Sequence, residues 1–233
     1  MQALKKIFQN AAHLFYPHVC TGCGTDILPK ENQLCARCIN NLPATGFASH
    51  QHNPVEEIFW GRIKLTAAHS EFYFDKEALI QRLVHQLKYK NNQSIGVYLG
   101  EIMARTLQKS KRFEHIDGLV PLPLFPEKER KRGYNQAAII CSGMSQVMNI
   151  PVLKGKLQRQ RYTETQTKKH RAERWENVKG SFVVNDTAGL KGKHLLLVDD
   201  VVTTGATLEA AGMVLLTVPD VTLSIATLTL ASK

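Results

Sequence analysis

The stretch HLLLVDDVVTTGATLEAAG, residues 194–212, constrains the fold more than any other part of the chain. Residues 195–198 have the length and composition of a buried strand. That strand runs into two adjacent carboxylates, Asp199 and Asp200. The chain then turns through Val202, Thr203, Thr204, Gly205, Ala206 and Thr207 into a helix expected over 206–216. In α/β sheets, ligands sit beyond the carboxyl ends of the strands, where loops enter helices. A turn of small residues at a helix start wraps an anion with backbone N–H groups, and the helix dipole favours the negative charge. Thr203, Thr204 and Thr207 add hydroxyl donors, and Gly205 removes a side chain where the backbone must approach closely. The carboxylates would repel a phosphate, but they accept hydrogen bonds from a vicinal diol, and a divalent metal suits the same place. A diol next to a phosphate describes a ribose 5-phosphate. Neither G-x-x-x-x-G-K-[ST] nor G-x-G-x-x-G occurs in the chain, so the Walker and Rossmann fingerprints are absent.

The remainder alternates strand and helix patterns. Strands are expected over 64–74, 116–124, 152–158, 181–184, 194–198 and 221–229, and helices over 79–90, 95–109, 206–216 and up to about residue 149. This alternation predicts an α/β domain with a mostly parallel sheet. Residues 40–54, rich in Asn, Pro, Gly, Ser and His, read as a linker, and PEKERKRGYNQ reads as a basic loop. Residues 159–179 are polar and basic, broken by a short helix over 172–178. Ahead of everything, Leu4, Ile7, Phe8, Ala11, Leu14 and Phe15 recur at helical spacing and predict a short amphipathic helix. No apolar run approaches the roughly 20 residues that cross a bilayer, and no secretory signal pattern is found, so a cytoplasmic location is expected.

Cys20, Cys23, Cys35 and Cys38 form C-x2-C-x11-C-x2-C. Two such pairs match a closed tetrahedral zinc site, which has no open position and therefore serves structure rather than catalysis. Gly22 and Gly24 supply backbone freedom to the first knuckle. The fifth cysteine, Cys141, lies in the apolar helical run NQAAIICSGMSQVM and reads as a buried small hydrophobe. Two units follow from these patterns: a zinc-binding module over residues 1–45 and a larger domain over 55–233.

Charge is concentrated. The chain carries a formal net charge of +10, and residues 127–179 hold thirteen Lys or Arg against five Asp or Glu. Such a stretch reads either as a solvated basic face or as the contact for a polyanion, a phosphorylated small molecule or nucleic acid. Arg130, Lys131 and Arg132 in one segment and Arg171 and Arg174 in the other are the candidate contacts. Asn135, Gln136 and Gln166 are equally readable as ligand contacts or as structural hydrogen-bonders.

Residues 195–207, LLLVDDVVTTGAT, closely resemble the phosphoribosyl-pyrophosphate (PRPP) signature of type I phosphoribosyltransferases. VPLPLFPEKERKRGYNQAA and LQRQRYTETQTKKHRAERWENVKGSF resemble two further segments of the competence protein F family, which also carries an amino-terminal four-cysteine zinc finger. The resemblance implies a type I phosphoribosyltransferase fold preceded by a small four-cysteine zinc-binding module, and a link to DNA uptake in bacteria. It implies that Asp199 and Asp200 bind the ribose hydroxyls of PRPP and that Thr203, Thr204, Gly205, Ala206 and Thr207 bind its 5-phosphate. The implied reaction is displacement of pyrophosphate from the anomeric carbon by a nitrogen nucleophile. Mg2+ and cations such as Arg132 would stabilise the charge that builds on the leaving group. Two rival readings keep the same residues: a protein that binds PRPP or a nucleotide without turnover, and an accessory protein that binds single-stranded DNA through the basic stretch.

Overall fold

A computed structural model describes residues 18–25, 28–29, 32–74, 78–160 and 181–231. The amino-terminal helix expected over residues 4–15 and the helix over 172–178, with Gln166, Arg171 and Arg174, lie outside the described residues. Among the described residues no helix is long and apolar enough to cross a membrane.

Four strands form the central sheet: β1 (Ala67–Phe74), β2 (Gly118–Pro121), β5 (His194–Val202) and β6 (Thr222–Ala231). Their order is β1-β6-β5-β2, and every neighbouring pair is parallel. Parallel strands need crossover connections, so helices cover both faces. The alternation along β5 shows the division. Leu196 and Val198 join Leu119, Ala226 and Leu228 in one core with helices α3 (Leu79–Tyr89), α4 (Gln93–Gln108) and α6 (Gln136–Met148). Leu195 and Leu197 join Val120, Leu223 and Ile225 in the other, against α2 (Pro54–Phe59) and α7 (Ala206–Leu215). Cys20, Cys35 and Cys38, beside helix α1 (Ala36–Asn40), belong to the first of these cores, so the cysteine module packs directly on the sheet domain.

Helices α4 and α6 meet backbone to backbone. A Cβ on Gly100 would lie 2.2 Å from the carbonyl oxygen of Ile140, and one on Gly143 would lie 2.0 Å from that of Val97. Alanine at either position would push the helices apart, because close-packed interiors do not absorb such overlap.

Four local expectations are corrected. The strand over 152–158 is broken: Val152 makes one parallel bridge to Leu119, and Gly155 then turns the chain at a φ of +75°. Beyond it, β3 (Leu157–Arg159) pairs antiparallel with β4 (Phe182–Val184) in a separate two-stranded sheet. Residues 40–54 are a packed edge rather than a loose linker. Ala44 bridges Phe72 of β1, and buried Asn53 caps α2 while donating to the Ala68 carbonyl. Strand β5 does not stop before the carboxylates; it runs through them to Val202. The basic loop is a helix, α5 (Pro126–Arg132). Proline starts it, Glu127 and Glu129 occupy its first turn, and Arg130, Lys131 and Arg132 its last. That order suits the helix dipole, and Gly133 at φ +85° ends the helix in the left-handed region.

Candidate functional site

The carboxyl ends of β5 and β2 carry the candidate site. At the end of β5 the chain bends through exposed Thr203 and Thr204 to Gly205 and enters α7. The bend and the first turn of α7 line a cavity of about 200 Å³ with Asp199 at its rim. Gly205 has a φ of +74°, and a Cβ there would lie 2.5 Å from Ile58 and 2.9 Å from Phe59. Its small size therefore lets the bend rest on α2, a packing requirement that stands beside the close ligand approach expected from the sequence.

Asp199 and Asp200 diverge, as neighbours on a strand must. Asp199 faces the bend, and its Oδ1 accepts the Asp200 backbone N–H at 2.8 Å. Removal from water, and then the adjacent Asp200 charge, push the Asp199 carboxyl well above the ordinary carboxylate range. Asp200 is 2% exposed, and its Oδ2 lies 2.6 Å from the Lys88 ammonium of α3. Lys88 escaped the sequence reading because it is a single lysine at the end of an amphipathic helix, with no motif around it.

The seven-residue helix α5 sorts its cations by face, since positions three and four apart lie together. Lys128, Lys131 and Arg132 line a cavity of about 390 Å³ with Lys88 and Tyr89, and the Arg132 guanidinium sits 5.7 Å from the Tyr89 ring centroid. The Gln136 side chain accepts a hydrogen bond from Arg132 and so fixes it. Arg130 is on the other face. It lines a cavity of about 540 Å³ walled by Pro121, Pro123 and Pro126, across from Lys154 and Arg159. Arg159, also missed in the sequence, is stacked 3.7 Å from the Phe125 ring centroid. Burial pulls its pKa down, opposed by the Asp199 charge. Among the described residues, the expected polyanion contacts are thus divided, Arg130 in one cavity and Lys131 with Arg132 in the other.

Asn135 lines the same cavity as Arg130 and also makes structural bonds. Its Oδ1 accepts the Ala137 N–H at 2.9 Å and its Nδ2 donates to the Leu122 carbonyl at 2.9 Å, which ties α6 to the chain after β2. Cys141 is fully buried, and burial pushes its thiol pKa upward, as befits an inert core side chain.

The sulfur atoms of Cys20, Cys23, Cys35 and Cys38 lie within 4.8 Å of one another, and none is in a disulfide. Cys23 and Cys35 are 3.8 Å apart, which matches the edge of about 3.8 Å that a tetrahedron with ~2.3 Å metal–sulfur bonds requires. The donor set therefore fits a metal ion. Burial opposes ionisation of Cys20, but N–H groups of Cys23, Cys35 and Gly22 outweigh it and lower that thiol's pKa. A hydrogen bond with the Thr25 hydroxyl brings Cys23 down to about 6, whereas burial drives Cys38 up to about 12. Gly22 is required by space: a Cβ there would lie 2.9 Å from the Cys38 sulfur and 3.0 Å from Leu79.

A family model described as a phosphoribosyl transferase domain matches residues 131–233. Competence protein F of Haemophilus influenzae is 24% identical over 206 residues, covering 84% of this chain and 89% of that protein. DNA utilization protein YhgH of Escherichia coli K12 is 27% identical over 206 residues, covering 85% and 84%. Competence protein ComFC of Bacillus subtilis is 35% identical over 202 residues, covering 82% and 80%. With its parallel sheet, its phosphoribosyltransferase domain and its clustered cysteines, the chain belongs to the competence protein F family of type I phosphoribosyltransferase-like proteins.

Proposed function

We propose that this protein binds PRPP with Mg2+ and transfers its phosphoribosyl group to a nitrogen nucleophile. The observation that supports this most is the joining of Asp199 to residues 201–208 in one cavity, an anion-wrapping helix start with a carboxylate at its rim. The 5-phosphate would lie in the bend, held by Thr203, Thr204, Gly205, Ala206 and Thr207, with Val202 at its base. The ribose diol would face Asp199, with Asp200 behind it, and Mg2+ would supply charge neutralisation to the departing pyrophosphate.

Lys131 and Arg132, joined by Lys88, stand on the other side of Asp200 and suit the pyrophosphate. Arg171 and Arg174 remain proposed as further anion contacts. The proline-walled cavity holding Arg130 and Arg159 would receive the acceptor. Zinc in the four-cysteine cluster would hold the amino-terminal module. In this scheme residues 1–45 and 55–233 are two units by sequence, packed on a shared core in a cytoplasmic protein associated with competence and DNA use, as its relatives' names suggest.

A second reading has its own observation. Tyr89 is 67% exposed beside Lys128, Lys131 and Arg132, an aromatic platform among cations that suits single-stranded DNA. One assay separates the two: pyrophosphate release from PRPP and Mg2+, screened across nucleobases and amines. Release with one acceptor, lost in Asp199→Asn, supports the transferase. No release, together with salt-sensitive binding of single-stranded DNA that Tyr89→Ala weakens, supports the second reading.

A further inference from the structure

Arg62 lies 142 residues before Thr204 in sequence and touches the bend from beneath. It follows α2, in the turn 60–66 that leads to β1. One of its nitrogens, Nη1, donates to the Ile58 carbonyl at 2.8 Å and to the Thr204 carbonyl at 2.9 Å. The other terminal nitrogen, Nη2, pairs with Glu209 in the first turn of α7. The Glu209 side chain is 3% exposed, its N–H donates to the Gly205 carbonyl at 2.8 Å, and its Oε1 is buried with no hydrogen-bond partner among the described residues. One guanidinium therefore joins α2, the bend and the start of α7.

Two consequences follow. The peptide unit is planar and trans, so its C=O and N–H point in opposite directions. Drawing the Thr204 carbonyl down to Arg62 turns the Gly205 N–H the other way, toward the cavity above the bend. Glu209, moreover, puts a carboxylate in the first turn of a helix whose amino end is to receive a phosphate. Unpaired, it would repel that phosphate across a protein interior of low dielectric. Arg62, 31% exposed itself, offsets a carboxylate that is only 3% exposed to water.

We infer that Arg62 is the positioning residue of the phosphate-binding bend, setting the direction of the Gly205 N–H and neutralising Glu209. The inference rests on the reading of the bend as a phosphate site. It acts through the backbone and through Glu209, without contact to the ligand. Arginine is needed because a single ammonium cannot hold a carbonyl and a carboxylate with separate, rigidly spaced nitrogens.

The test uses the full chain, with ribose 5-phosphate as probe, isothermal calorimetry for affinity and the amide resonance of Gly205 for geometry. The parent is expected to bind, with a downfield shift of the Gly205 amide proton. Arg62→Met is expected to lose at least tenfold in affinity and to lose that shift while its spectrum stays dispersed. Arg62→Lys is expected to recover part of the affinity, and Arg62→Met with Glu209→Gln to recover affinity without the amide shift. Should Arg62→Met fail to fold, the lysine and double variants carry the same comparison. Parent binding and an amide shift that these variants leave unchanged would overturn the inference alone. A parent chain that does not bind ribose 5-phosphate would remove the reading of the bend, and the inference with it.

Discussion

Replacing Lys88 with methionine leaves the Asp200 carboxylate, 3% exposed, without the ammonium that lies 2.6 Å from it. Removing one partner of a fully buried pair costs about 3–5 kcal/mol, because the remaining charge stays desolvated and uncompensated. The Lys88 side chain keeps 20% exposure, so water already screens part of the attraction, and the expected loss falls to about 2–3 kcal/mol. The partner change is milder. In Asp200→Asn the lysine can swing its ammonium into the open cavity it lines, and about 1 kcal/mol is expected, near the value of an exposed pair. The double variant contains no stranded charge and should also lose about 1 kcal/mol, which leaves a coupling of about 2 kcal/mol between the two sites. Urea unfolding at saturating zinc reads this directly: with a slope of about 2–3 kcal/mol/M, Lys88→Met should lower the midpoint by about 1 M without changing the slope. Losses that simply add across the two single variants would refute the pairing. Lys88→Met should also weaken binding of PRPP more than binding of ribose 5-phosphate, since only the former carries the pyrophosphate assigned to that lysine.

Gly205→Ala meets two penalties, about 1–2 kcal/mol for a side chain at a φ of +74° and about 1–3 kcal/mol for the overlap with Ile58 and Phe59. A total loss of about 2–5 kcal/mol in denaturant unfolding is expected, and a loss under about 1 kcal/mol would show that the bend does not rest on α2 as described. Asp199 has a raised pKa in the folded chain, so its contribution to stability is full below the ordinary carboxylate range and is lost as pH rises through the shifted value. Diol hydroxyls and Mg2+ favour the ionised form, so PRPP with Mg2+ should release a proton on binding and bind more weakly as pH falls below that value. Calorimetry in two buffers of different ionisation enthalpy checks this, and identical heats would contradict it. One zinc per chain should be found by elemental analysis of protein purified without a metal-binding tag; a value near zero would leave the four thiols without their assigned role.

Local chemistry carried much of this molecule in its sequence. The apolar run into Asp199 and the threonine bend marked β5, α7 and the candidate site between them, because strand, turn and helix start are neighbours in the chain. The paired C-x2-C spacing marked the cysteine cluster for the same reason. What remained hidden depends on contacts between distant segments. Lys88 and Arg62 are single cations at unremarkable positions until the fold brings them to Asp200 and Thr204. Helix α5 read as a loop because its residues lack an apolar face; its order comes from end effects, a first-residue proline, acids before bases and a closing glycine. The edge residues 40–54 looked like a linker because their bonds go to β1 through backbone and Asn53, which leave no hydrophobic period to detect.

The most direct measurement is a crystal structure of the full chain grown with ribose 5-phosphate and Mg2+. Density for the phosphate against the N–H groups of residues 203–207, with the sugar hydroxyls toward Asp199, is the predicted result. A vacant bend, with the sugar phosphate bound against Lys131 and Arg132 or against the proline-walled cavity instead, would contradict the assignment.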